Sequence, residues 1–260
     1  MSKRILVIDV GGTNVKVYST GRAKPLKLPS GPRLTPKELI AGVRKAVESR
    51  GWKFDAISIG IPAPIARGKV LREPANLGRG WIRFDFAAAA RKPVKIVNDA
   101  AMQALGSYGT GAMLFLGLGT GLGSALVVDG MLVPLELARM PYRNGEMEDY
   151  VGLRGLQKHG KRRWRRLVAK VVTVLRSVLV VDDVVLGGGN ARLLKDLPEG
   201  CRLGSNALAL QGGERLWTED RVPPHASVHK RAARTRRPKR GAGGDASLTD
   251  GTGVANARMN

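Results

Sequence analysis

A chain of 260 residues, 43% of them hydrophobic, is long enough to bury a substantial core in one or two domains. Its one cysteine, Cys201, excludes an internal disulfide and any multi-cysteine zinc site. No apolar run reaches membrane-spanning length, so a cytoplasmic protein with no membrane partner is expected. A formal net charge of +23 either marks a protein that attracts polyanions such as nucleic acid, anionic membrane or inorganic polyphosphate, or reflects a basic proteome or a solvated tail.

The elements follow in chain order. "ILVIDV" (5–10) reads as a buried strand, and "GGTNVKVYST" turns back into a second. "KPLKLPS" is a third strand, weakened by prolines. "TPKELIAGVRKAVESRG" is a helix, with Thr35 as N-cap, Pro36 at the first helical position and a glycine after its end. "DAISIGIP" is a strand, "FDFAAAARK" a short helix, "PVKIVN" a strand and "DAAMQALGSY" a helix. This alternation predicts an α/β layer architecture.

A second block opens near Ala112. "AMLFLGLG", "GSALVVDG" and "MLVPLEL" read as strands, the last two joined by an Asp129-Gly130 hairpin. A long helix is expected from about Lys161 to Val180, its apolar stripe running through Trp164, Leu167, Val168, Val171, Val172, Leu175 and Leu179. "DDVVLGGGN" is a strand entering a glycine turn, "NARLLKDL" a short helix and "SNALALQGGERLW" a closing helix. Both blocks open with strand, glycine turn and strand, a weak internal repeat. The two blocks span residues 1–111 and 112–220. The segment 221–260, rich first in arginine and then in Gly, Ala, Ser and Asp, carries too little apolar surface to fold and is expected to be disordered.

Four places carry chemistry. In "IDVGGTNVK", Asp9 ends a buried strand. Gly11 and Gly12 leave room for an anion among backbone N–H groups, with Thr13 as hydroxyl donor and Lys16 as cation. Asp9 is suited to hold Mg²⁺ through water. "GLGTGLGS", with Gly119, Thr120 and Gly121, is a second phosphate-approach turn at the equivalent place in the second block. "VLGGGN", with Gly187, Gly188, Gly189 and Asn190, leads a strand into a helix start and suits a nucleotide's ribose or phosphate. In "VNDAA", Asn98 and Asp99 close a strand and open a helix. An aspartate there is either a cap or a general base, and beside two phosphate turns the base is the better reading.

Together and in this order, "IDVGGTNVK", "NDAAMQALG", "GLGTGLGSALVVDG" and "VLGGGN" resemble the ROK family of sugar kinases and repressors. Within it they are most similar to the polyphosphate glucokinase branch, over roughly residues 4–218. The resemblance implies an actin-like, duplicated ribonuclease-H-type α/β fold with a cleft between two lobes, residues 1–111 and 112–220, the last helix either staying with the second lobe or returning to the first, and a dimer. It implies phosphoryl transfer from ATP or polyphosphate, with Mg²⁺, to a sugar hydroxyl, usually carbon 6 of glucose, with Asp99 as the catalytic base. "IGIPAPI" and "PANLGRGW", with Asn76, resemble the sugar-side loops, and Asn98 and Glu136 fall on sugar-binding positions. No zinc is expected. No helix-turn-helix precedes the first motif, which speaks against a repressor.

The chain departs from the family where sugar-phosphorylating members carry Glu-x-Gly-His. Here the segment is "ELAR": Glu136 stays, Ala138 replaces glycine and Arg139 replaces histidine. Arginine only donates hydrogen bonds and is permanently charged. It either pairs with Glu136 and blocks the pocket, selects an anionic acceptor, or swings out and leaves a weaker sugar site. Ala63, where glycine is usual, is a second departure. The alternative is thus a catalytically impaired protein that binds phosphate or polyanions and serves a regulatory role. The cluster "KHGKRRWRR" (158–166) is either a solvated helix face or a track for a polyanionic donor. The tail's "HKRAARTRRPKR" (229–240) offers non-specific nucleic-acid binding.

Overall fold

A computed structural model describes residues 3–22 and 24–218. The expected tail, 221–260, lies outside the described residues. The elements, in order, are β1 (Ile5–Val10), β2 (Asn14–Ser19), β3 (Leu26–Pro29), α1 (Pro36–Glu48), β4 (Ala56–Ile61), the small ribbon β5 (Ile65–Ala66) and β6 (Lys69–Val70), α2 (Phe86–Ala90), β7 (Val94–Asn98) and α3 (Asp99–Ser107). They continue with β8 (Ala112–Leu118), β9 (Leu122–Val128), β10 (Met131–Leu135), the ribbon β11 (Pro141–Tyr142) and β12 (Gly145–Glu146), α4 (Met147–Val151), α5 (Leu153–Leu179), β13 (Asp183–Gly187), β14 (Cys201–Leu203) and α6 (Ala209–Arg215).

Two five-stranded sheets share one plan. Their orders are β3-β2-β1-β4-β7 and β10-β9-β8-β13-β14. In each, the first three strands form an antiparallel meander and the last two add in parallel to the first. This is the duplicated ribonuclease-H-type arrangement. All six residues of β1 and of β4 are buried, as strands covered on both faces require.

Local chemistry fixes most boundaries. Thr35 and Glu38 form a reciprocal capping box at the start of α1, with Pro36 just inside. Leu39, Ile40, Val43 and Val47 of α1 cover one face of the first sheet. Asp129 and Gly130 both take positive φ, 48° and 78°, as a tight two-residue hairpin requires. Trp164, Leu167, Val168, Val171, Val172 and Leu175 of α5 are buried against the second sheet, as their spacing predicts.

Two helices differ from expectation. The long helix begins at Leu153, not Lys161, and breaks at Gly160, whose φ of 70° and ψ of 161° are non-helical. The segment "NARLLKDL" forms only a three-residue 3-10 turn, Ala191–Leu193. Asn190 is drawn back onto the preceding glycine turn by two hydrogen bonds, and Pro198 disfavours helix in the residue before it.

α3 is the hinge between the sheets. Its Ala101, Ala104 and Leu105 pack on Met113, Phe115, Ala125 and Val127 of the second sheet. Its Met102 joins Ile5, Val7 and Ala209 on the first. α6 comes back to that same face: Ser58 Oγ donates to the Gly213 carbonyl at 2.6 Å, and Thr20 Oγ1 donates to Glu214 at 2.7 Å. α3 and α6 touch backbone to backbone at Gly106 and Gly212, where no side chain fits. No described helix is long and apolar enough to cross a membrane.

Candidate active site

Asp9 ends β1 and is 7% exposed. The antiparallel register sets it opposite Lys16 of β2, whose Nζ lies 3.6 Å from Oδ2. Burial raises the Asp9 pKa and Lys16 opposes the rise. Gly11 closes the turn by donating to the Asn14 carbonyl at 3.0 Å. Neither Gly11 nor Gly12 adopts a positive φ, so backbone freedom is not what the turn needs here. Space is: a Cβ on Gly11 would stand 2.9 Å from the Asn14 oxygen, and one on Gly12 would meet the Asn76 side chain at 3.6 Å. Asn76 thus stands beside the first turn.

The second and third glycine turns are joined. Asn190 Nδ2 donates to the Gly119 carbonyl at 3.0 Å, and its backbone N–H to Leu118 at 2.9 Å. Gly188 holds φ of 81° with its Cα against the Leu118 carbonyl, where a Cβ would come within 2.6 Å. Gly187 lies against the Phe115 ring. From the other side, the first N–H of α5, Leu153, donates to the carbonyls of Gly119 and Thr120. Gly189 has open space about it.

At "VNDAA" the capping role does not fall to Asp99. Asn98 is the N-cap of α3, its Oδ1 accepting from Ala100 at 2.9 Å and Ala101 at 3.4 Å. Its Nδ2 donates to the Ala63 carbonyl at 3.1 Å. Asp99 is the first helical residue and is released from capping. It stands between the sheets: a Cβ on Gly60 of β4 would lie 3.3 Å from its Cα, and the next residue, Ala100, abuts Gly123 of β9. Dense surroundings raise its pKa to about 7, with the charges of Asp9 and Glu136 adding to the rise and the backbone N–H groups of Ala100 and Asp99 opposing it.

Glu136 follows β10 and precedes a 3-10 turn, Leu137–Arg139. Burial raises its pKa, opposed by Arg72 and Arg139. Arg139 does not pair with it. The guanidinium instead lies 2.7 Å from Glu146 and 3.6 Å from Glu148. Ala138 is buried within the turn without a positive φ, so its replacement of glycine carries no backbone strain. Sequence reasoning missed Glu148, Glu146 and Arg72. Glu148 is the most telling: its Oε2 lies against Gly121 of the second turn, linking that turn to Arg139. The signal was the acidic run "GEMED" inside a strongly basic chain.

Among the described residues no three His, Cys, Asp or Glu side chains cluster as a metal site. Mg²⁺ does not need one: it binds through one or two carboxylates, the rest of its shell coming from water and phosphate. Asp9, buried at the end of β1 beside the first glycine turn, fits that role.

The ROK family's sequence profile matches residues 5–134, from β1 into β10. The chain belongs to the ROK family. Polyphosphate glucokinase of Mycobacterium leprae is 27% identical over 206 residues, covering 71% of this chain and 63% of that protein. The Mycobacterium tuberculosis (strain CDC 1551 / Oshkosh) enzyme of the same name is 26% identical over 206 residues, 71% of this chain and 77% of its own. The chain therefore spans less than two thirds of the M. leprae relative. Among solved structures, inorganic polyphosphate/ATP-glucomannokinase from Arthrobacter sp. strain KM matches with a TM-score of 0.71 at 22% identity, over 82% of this chain and 97% of that one. A ROK family glucokinase from Streptomyces griseus, in complex with glucose and AMPPNP, matches with a TM-score of 0.66 at 18% identity, over 82% and 97%. The ROK fold is thus shared with sugar kinases, actin-like and duplicated as the two sheets display.

Proposed function

We propose that the protein is a sugar kinase that moves a phosphoryl group from ATP or polyphosphate to a sugar hydroxyl, glucose to glucose 6-phosphate in the first instance. The observation that carries this reading is Asp99: a carboxylate freed from capping, held at the junction of the two sheets, with a pKa of about 7. A base with that affinity takes a hydroxyl proton at neutral pH without being permanently protonated. The names of the relatives support the donor and acceptor classes.

In this mechanism the Asp99 carboxylate accepts the proton of the acceptor hydroxyl as that oxygen bonds to the terminal phosphorus. The bond from phosphorus to the donor's bridging oxygen breaks, and the shortened donor leaves with the electron pair. The turns at Gly11–Thr13 and Gly119–Gly121 hold the donor's phosphates by backbone N–H groups, with Lys16 as counter-charge. Gly187, Gly188, Gly189 and Asn190 serve the far side of the donor. Asn76, Asn98 and Glu136 orient the acceptor, Asn98 with the amide hydrogen left over from its bond to Ala63. Asp9 would hold a Mg²⁺ ion, which would supply charge neutralisation on the phosphoryl oxygens. The two sheets, 1–111 and 112–220, act as lobes on either side of the bound substrates, and a homodimer is the expected assembly.

The test is a phosphorylation assay with Mg²⁺, pairing a panel of sugars with ATP and with polyphosphate. Glucose 6-phosphate is the expected product. No turnover across the panel, from folded protein that binds a donor, would overturn the kinase reading. One observation favours that second reading, a phosphate-binding descendant with a reduced acceptor site: Arg139 engages Glu146 and Glu148.

A further inference from the structure

α5 has a charge pattern that its packing does not explain. Its 27 residues contain no acid and nine Lys or Arg. Arg154 pairs with Asp149, Arg165 Nε donates to the Leu193 carbonyl at 2.6 Å, and Arg176 donates to the Glu199 carbonyl. Among the described residues, Lys158, Arg162, Arg163, Arg166 and Lys170 make no ion pair and are exposed. Arg162, Arg166 and Lys170 follow one another at i, i+4, opposite the face that buries Trp164, Val168 and Val171. Like charges at that spacing destabilise a helix, so the stripe costs stability unless an anion meets it.

The stripe lies past the Gly160 break, on the helix whose first residue meets the second glycine turn. The helix starts where Leu153 donates to Gly119 and Thr120, and Arg165 reaches the segment just after the third turn. At its near end Lys158, Arg163 and Arg143 act together on His159, whose pKa is lowered by burial and by those three charges. From Arg162 to Lys170 the helix advances about 12 Å. The three phosphates of a nucleotide are too few to fill the turns and also span that length; a linear anion of many phosphates can. Nucleic acid is the weaker fit. Its single strands bind by stacking bases on exposed aromatics, but Trp164 is fully buried with its Nε1 given to Val151, and Tyr142, Tyr150 and His159 at the near end are half-buried and packed on one another and on Arg143.

We propose that Arg143, Lys158, Arg162, Arg163, Arg166 and Lys170 form a track for the distal part of long-chain inorganic polyphosphate leading away from the second glycine turn. This rests on the phosphoryl-transfer reading for the chain end, but the track is a binding property and is tested as one. The full chain and a variant combining Arg162→Gln, Arg163→Gln, Arg166→Gln and Lys170→Gln are titrated without sugar. The titrants are long-chain polyphosphate, tripolyphosphate and a single-stranded oligonucleotide of matched charge, each at several salt concentrations.

Four lost contacts at roughly 0.7–0.9 counterions each lower the log–log salt slope for long polyphosphate by about 3, while tripolyphosphate binds both proteins alike. Long polyphosphate also raises the His159 pKa, read by imidazole NMR. An unchanged slope, as when the basic segment after residue 220 carries all the binding, overturns the track. So does an oligonucleotide that binds as tightly and loses as much. Turnover with ATP and sugar, expected to be equal in the two proteins, reports separately on the kinase reading.

Discussion

Replacing Asp99 by asparagine separates what the carboxylate does for the reaction from what it does to the fold. In the folded protein Asp99 binds its proton up to about pH 7, against an ordinary value of 3.8. Between those values the native state holds more protons than the unfolded chain. Stability therefore falls as pH rises from about 4 through 7, and levels off above. The full separation corresponds to roughly 4 kcal/mol. Because Asp99 keeps part of its surface in water, about 2 kcal/mol is the working figure after screening. The Asn side chain escapes this penalty. Asp99→Asn should thus melt within a degree or so of the parent at pH 4 and about 4–8 °C above it at pH 8. Over the same range its turnover should fall at least 100-fold, the usual contribution of a positioned base, while donor binding persists. For the parent, kcat/KM should rise with pH through an apparent pKa near 7. Thermal melts at both pH values, with a pH–rate profile, make the measurement. A melting difference that ignores pH would refute the raised Asp99 pKa. Unchanged turnover would refute the base.

Other substitutions address the neighbouring residues. Arg139→His releases Glu148 and Glu146 and restores a hydrogen-bond acceptor beside Glu136, and should raise kcat/KM for glucose about 10-fold; a fall in sugar kinetics would mean that the arginine itself serves the acceptor. Asn98→Ala removes the α3 cap and the bond to Ala63, and should cost about 2 kcal/mol in a denaturant titration; Asn98→Asp keeps the cap and should recover about half. Gly188→Ala forces a side chain into the Leu118 carbonyl at a φ of 81°, and should lower stability by about 1–3 kcal/mol and weaken donor binding more than acceptor KM.

The strands and most helices were legible because they obey local rules. The Thr35–Glu38 box, the Asp129-Gly130 turn and the 3.6-residue stripe from Trp164 to Leu175 each declare themselves within a dozen residues. What was hidden depends on partners distant in sequence. Asn98 and Asp99 are both able to cap a helix, and only the contacts of Asn98 with Ala63 and of the Asp99 backbone with Gly60 show which of them does. The "NAR" segment has helix-forming residues, but Asn190 is bound to Leu118 and Gly119, far back in the chain. Gly160 looked like one more residue ahead of a helix because a lone glycine does not announce a break. Arg139 and Glu148 are nine residues apart with no periodicity linking them, so their pairing required the turn at Met140 and the ribbon after it.

The return of α6 to the first sheet sets an order on synthesis. The face formed by Ile5, Val7 and Met102 is encoded early, but Ala209 and Gly213, which cover it, emerge only after roughly 110 further residues, about 5–20 s of translation. During that interval the early sheet carries an uncovered apolar surface, and the α3 backbone at Gly106 awaits its neighbour. A ribosome stalled anywhere before residue 209 would hold a sheet complete in its strands yet open on one side, a natural substrate for a chaperone. The finished molecule fastens that seam with Ser58, Thr20 and Lys95, each reaching for α6 or its end, so a helix made late seals the sheet made first.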